Sequence, residues 1–320
     1  MSKCPPVVAI LIAGVLGTTP ALAGSFRLDK RFTLAPGDAF VLSSDVGSVS
    51  VQGVQGQQAL VVVTSDRQDL GDLYDIRFEQ VAGQLKVVLE RKNKGLLELF
   101  QSFRGNTHIE IELPRSTPAD IRTSGGSIDA SELEAPLKAH SSGGSVKVAE
   151  IRGDVAVSSS GGGVDVREVR GTAHLESSGG SVTADTVQGA VWADSSGGSV
   201  NLKSVAGDIE ANSGGGGVNV QGAGGHVKAG SSGGPVRVVF ADGNSKGGDL
   251  DSSGGGVEAA LDSRAAVEVD AISSGGSVSC NLPLAAEGRV TSDKLHGKLN
   301  GGGPLLRLRS SGGGISISAH

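Results

Sequence analysis

Ser142-Gly143-Gly144-Ser145-Val146-Lys147-Val148-Ala149-Glu150-Ile151-Arg152-Gly153-Asp154-Val155-Ala156-Val157-Ser158-Ser159 is one period of a repeat, and the next eighteen residues, opening Ser160-Gly161-Gly162-Gly163-Val164-Asp165-Val166, follow the same pattern. Ser124, Ser142, Ser160, Ser178, Ser196, Gly214 and Ser232 open successive periods at equal steps of eighteen. A fixed period of this size marks a stacked architecture in which each unit pairs with its neighbours. Counting the opening residue as offset 0, apolar residues fall at offsets 4, 6, 9, 13 and 15, as in Val146, Val148, Ile151, Val155 and Val157. Alternation over short β-branched runs is the pattern of half-buried strands. The repeat therefore predicts an all-β fold, a β-solenoid (β-helix or roll-like) of two-strand coils.

One such coil cannot bury its apolar row alone, but stacking at about 4.8 Å pairs each strand with those above and below. Val and Ala fill the core because the interior is thin. Gly turns the corners, where it alone reaches positive φ freely, and Ser bonds the turn backbone. Ser-Gly-Gly is thus a structural motif first. Beyond Ser232 the openings at Ser253, Ser274 and Ser311 loosen the period. Insertions and a cap are expected there, with Ile315 and Ile317 in the closing strand.

Residues 24–120 lack the repeat and read as an N-terminal β cap continuous with the solenoid or a small β-sandwich, with strands over 48–51, 59–64, 73–79, 84–91 and 107–113. Residues 121–320 form the solenoid. Between the last two N-terminal strands, Leu96, Leu97, Leu99, Phe100 and Phe103 make an apolar insertion in a chain with 3% aromatic residues. It either contacts a partner or a membrane, or plugs the end of the solenoid.

Ahead of residue 24 come Lys3, an apolar run from Val7 to Leu16, and Ala21-Leu22-Ala23, the order of a secretory signal peptide over 1–23. Its apolar run has ten residues, about half the roughly 20 a transmembrane helix needs, and no later run is longer, so no integral membrane segment is expected in the mature chain. Removing Lys3 takes the formal net charge from −6 to −7 with charges interspersed, which argues against nucleic-acid binding. Cys280 is the cysteine left after processing, and its inward offset makes it a buried small hydrophobe.

Ser43-Ser44-Asp45-Val46-Gly47-Ser48-Val49-Ser50-Val51, Ile109-Glu110-Ile111-Glu112-Leu113-Pro114 and Ile121-Arg122-Thr123-Ser124-Gly125-Gly126-Ser127-Ile128, followed by the Ser-Gly-Gly ladder, resemble a bacterial family of adhesin-like proteins, domain of unknown function 4097. The resemblance covers nearly all of the mature chain and departs at the insertion from Leu96 to Phe103. It implies an extracytoplasmic β-solenoid, and no catalytic residues come with it.

Chemistry on a solenoid needs acids, bases or ligands converging from neighbouring coils. His140, His174 and His226 sit at offsets 16, 14 and 12 and do not converge. Glu132, Glu150 and Glu168 stack at offset 8, but Arg152 and Arg170 follow them, which reads as a solvated charge row. No catalytic group, cofactor or metal is expected. The candidate binding surface is Trp192, the single tryptophan, outward by register, with His174 beside it and Asn201 near it, placed to stack on a sugar ring. These readings favour a non-enzymatic, exported surface or envelope scaffold, adhesin-like, periplasmic or at the cell surface, with a cell-envelope glycan or protein as partner. An envelope-stress or signalling accessory protein is the alternative, ahead of a polysaccharide-processing enzyme.

Overall fold

Val146 pairs with Val164, Val148 with Val166 and Ile151 with Val169, while half a coil later Val155 pairs with Ala173 and Val157 with Leu175. Each of these residues faces inward and is buried. The eighteen-residue step in sequence has become one parallel strand step in space, so like residues stack on like. In the computed structural model, which describes residues 25–81, 83–92, 106–286 and 291–320, the coils build two long walls. The first wall has fourteen strands and carries offsets 4 to 9, and the second has fifteen. Between them runs a single continuous apolar core from Leu34 to Ile317. Each fully buried Val in it contributes about 1.5–3 kcal/mol over an exposed one.

A second column, of hydroxyls, ties the coils together. The residue before each opening Ser is buried, and its Oγ donates to a glycine carbonyl of the neighbouring turn while accepting a glycine N–H of its own. Ser177 donates to Gly162 O at 2.9 Å and accepts from Gly180 N at 2.9 Å. Ser141, Ser159 and Ser195 repeat both bonds. Sequence reading credits Ser with turn bonding, but it is the first Ser of each Ser-Ser pair that is buried, while Ser142, Ser160, Ser178 and Ser196 are exposed.

The five expected N-terminal strands appear as Ser48–Val54, Gln58–Ser65, Tyr74–Val81, Gln84–Arg91 and Thr107–Pro114, joined by Phe26–Thr33 and Ala39–Ser44. All of them enter the same two walls. Their spatial order differs from chain order. The coil of Ala39–Ser44 and Ser48–Val54 lies directly against Ala119–Thr123 and Ile128–Ser131, and Gln84–Arg91 with Thr107–Pro114 stack outside it. The far end mirrors this. Leu305–Ser310 and Ile315–Ala319, last in the chain, insert between the Gly248–Ser252/Val257–Leu261 coil and the Val267–Ser273/Val278–Cys280 coil.

Ile315 and Ile317 therefore do not close the stack as the sequence suggests. Both are buried between two strands, and Val278–Cys280 is the outermost strand of the first wall. Cys280 is in consequence half-buried rather than fully enclosed, because an edge strand has a neighbour on one side, and burial pushes its thiol pKa up. Antiparallel strands finish the other three ends: Gln58–Ser65 and Phe26–Thr33 on the first wall, Tyr74–Val81 at one end of the second and Lys294–Leu299 at its other. They turn a parallel ladder into locally paired antiparallel rims.

The loosened period also has a structural account. The coil from Ser232 to Ser253 has three extra residues in a loop held by Asn244, whose Nδ2 donates to Ala223 O at 2.6 Å and Gly225 O at 2.9 Å. Residues 1–23 and the insertion from Leu96 to Phe103 lie outside the described residues.

Candidate functional site

Trp192 lies on Val191–Ser195, in the middle of the second wall, with its two neighbours Val191 and Ala193 buried and its own side chain outward. Alternation along the strand forces this, since period-2 geometry sends successive side chains to opposite faces. The residue is 42% exposed, one of three large hydrophobics so placed among the described residues. Its register partners are His174 on one side and Glu210 on the other. Two residues along its strand is Asp194, flanked by Glu176 and Asn212. The ring thus stands over two outward columns of polar residues.

Charges here are organised locally. His174 Nε2 lies 2.8 Å from Glu176 Oε1, and Lys228 Nζ lies 2.6 Å from Glu210 Oε1. The bond to Glu210, then its charge, raises the Lys228 pKa. These pairs are solvent-exposed and contribute little to stability, so they shape the surface more than they hold the fold. Beside His174 the wall dips into an open groove over Ala156 and Ser158, bounded by Lys138 and His140. Among the described residues the one ring contact is Phe32 with Phe78, at 5.6 Å between centroids, and Trp192 has no aromatic or cationic partner among them.

Of the residues singled out from sequence, His174 and Trp192 are adjacent, but Asn201 is not near them. It lies on Val200–Val205 in the first wall, facing outward between Thr183 and Asn219. The nine residues from Trp192 to Asn201 are half a period, which carries the chain to the opposite face. The apolar contact candidates Leu96, Leu97, Leu99, Phe100 and Phe103 lie outside the described residues.

The glutamate ladder at offset 8 proves to be more than a charge row. Glu132, Glu150, Glu168, Thr186 and Ser204 all have φ between +53° and +59°, and Gly222 takes the same slot at +69°. Six successive coils thus pass through a left-handed residue near the end of the first-wall strand, a conformation that costs a side chain about 1–2 kcal/mol. Gly222 was the one signal in the sequence that could have revealed it. The flanking arginines pair otherwise than expected: Arg115 with Glu132, and Arg152 with Glu134 at 3.2 Å. Glu168→Gly is expected to raise stability by about 0.5–1 kcal/mol in urea unfolding, as relief of left-handed strain outweighs the added chain entropy. A loss of stability would show that the glutamate side chain contributes more than its backbone costs.

Among the described residues no group of three or more His, Cys, Asp or Glu is placed to hold a metal ion, and no helix is long and apolar enough to cross a membrane.

No curated protein matches the chain. Solved structures similar to it include a candidate lipid-binding protein from Parabacteroides distasonis, 13% identical over 92% of this chain and 96% of that one, with a TM-score of 0.39. A candidate adhesin from Parabacteroides merdae is 11% identical over 91% and 95%, with a TM-score of 0.37. A candidate cell adhesion protein from Clostridium sporogenes is 14% identical over 92% and 100%, with a TM-score of 0.25. At these identities and scores the likenesses say nothing of function. The model of the Toastrack DUF4097 domain matches residues 41–318, and the chain belongs to that family.

Proposed function

We propose that the protein is an exported, non-enzymatic scaffold that holds the outer face of its second wall toward a component of the cell envelope, with contact centred on Trp192. The observation that carries this reading is a lone tryptophan kept 42% exposed on a strand whose backbone is paired on both sides. An indole in water is a poor use of a large apolar ring unless something covers it, and tryptophan is among the residues that dominate contact energies. Stacked coils make the wall rigid, so little order is lost when a partner binds. The polar columns on either side supply register contacts along it.

Co-sedimentation of the purified protein with isolated envelope fractions tests the reading. Wild type should pellet saturably, and Trp192→Ala should weaken binding by at least about tenfold, the scale of a contact hot spot. The outward position of the ring leaves the core untouched, so circular dichroism should remain strand-rich. Equal binding by the two proteins would contradict the proposal.

A further inference from the structure

We infer that the Trp192 surface recognises a cationic side chain of a protein partner, an arginine guanidinium or lysine ammonium laid on the indole between carboxylates; this rests on the reading of the second wall as the contact face. Three carboxylates surround the ring in register: Glu210 beside it, Asp194 two residues along, and Glu176 next to Asp194. Over the five strands from Val155–Ser159 to Val227–Ser231, the outward positions carry these three acids against one lysine, Lys228, and His174, whose Nε2 lies 2.8 Å from Glu176 Oε1. Lys228 is already engaged by Glu210 at 2.6 Å.

Asp194 is exposed, and among the described residues nothing donates a hydrogen bond to it. Of the remaining outward residues on these strands Ala156, Ser158 and Gly230 are small, and Asn212 stands beside Asp194, while the indole itself is 42% exposed.

The negative face of an indole attracts cations, and the attraction strengthens when carboxylates lie within reach of the same group. A neutral sugar could stack on the ring, but covering the patch would strip water from Asp194 without offering it a charge. Asn201 is on the other wall, and the amide that this face does present, Asn212, has the carboxylate of Asp194 as its register neighbour. Charge complementarity therefore favours a basic protein segment.

Trp192 is the single tryptophan, so its emission reports on this site alone. The probes are acetyl-hexaarginine amide and neutral chitohexaose. The peptide should quench emission saturably, with Kd raised at least fivefold by Asp194→Asn and by Glu176→Gln. Asp129→Asn, an exposed acid on the first wall, should leave Kd within twofold. Quenching weakened as much by Asp129→Asn as by Asp194→Asn would mean diffuse attraction to an acidic chain and would overturn the inference. A response to chitohexaose with none to the peptide would overturn it as well, while leaving the second wall as the contact face. If neither probe moves the emission and Trp192→Ala still pellets with the envelope as wild type does, both the inference and the proposed contact face fall.

Discussion

Gly198→Ala is expected to cost more than about 3 kcal/mol, an exceptional loss for one methyl group. The cause is close approach between coils. A Cβ built on Gly198 would meet Gly180 C and Ser181 N at 2.5 Å, inside any contact that real Cβ atoms make. Both are backbone atoms of the adjacent turn, held by the strand pairing on either side, so neither can rotate away. The only relief is to open the coil spacing, and that breaks the hydroxyl bridges on the same edge. Stability in a stacked repeat is close to a sum of unit and nearest-neighbour terms, so a single weakened junction should also split the unfolding transition. Gly230→Ala provides the control. Its Cβ would meet Asn212 Oδ1 at 3.0 Å, the end of a side chain that can turn aside, and the cost should stay within about 1 kcal/mol. Urea unfolding of the two variants makes the comparison, and equal losses would show that coil spacing is not limiting.

Ser177→Ala carries the second large effect. Ser177 is 4% exposed, and its hydroxyl both donates to Gly162 and accepts from Gly180. Removing it leaves a carbonyl in one coil and an N–H in the next without their partner. Each unsatisfied group costs about 1–3 kcal/mol when buried, and because the turn glycines are partly open to water about 2 kcal/mol is expected in total. Ser178→Ala, one residue on and exposed, should stay within about 0.5 kcal/mol. Ser177→Thr should recover most of the loss, since Thr123 fills the same slot in an earlier coil and donates to Gly47 O at 2.9 Å. Similar losses for Ser177→Ala and Ser178→Ala would remove the hydroxyl column from the account of stability.

The middle of this fold was legible because the repeat is simultaneously a statement about sequence and about space. Once Val146, Val164 and Val182 are eighteen residues apart, in-register parallel stacking is the one arrangement that buries them all. The ends were not legible for the same reason. The coils opening at Ser274 and Ser311 carry nearly the same turn and strand signals, so nothing local says that Ile315 sits between Val257 and Val278. Pairing of near-identical strands is chosen by which order leaves the best-covered rim, a property of the whole stack.

The candidate site was half legible. Outward placement of Trp192 follows from alternation alone, and His174 follows from the period. Setting Asn201 beside them counted residues without counting walls, although half a period is enough to place it on the opposite face. The left-handed column was hidden because Glu150 and Glu168 carry no backbone signal of their own, and the acidic row offered a sufficient explanation in charge.

The central claim is that one wall, and not the other, meets a partner. Asn212 and Asn201 make the test symmetrical, since both face outward, one on the second wall next to Asp194 and one on the first between Thr183 and Asn219. A photo-crosslinking amino acid replaces each in turn, and the protein is mixed with envelope fractions and then irradiated. The account predicts a discrete adduct from position 212, suppressed when Trp192→Ala is added, and none from position 201. An adduct from position 201 alone, or equal adducts from both, would contradict it.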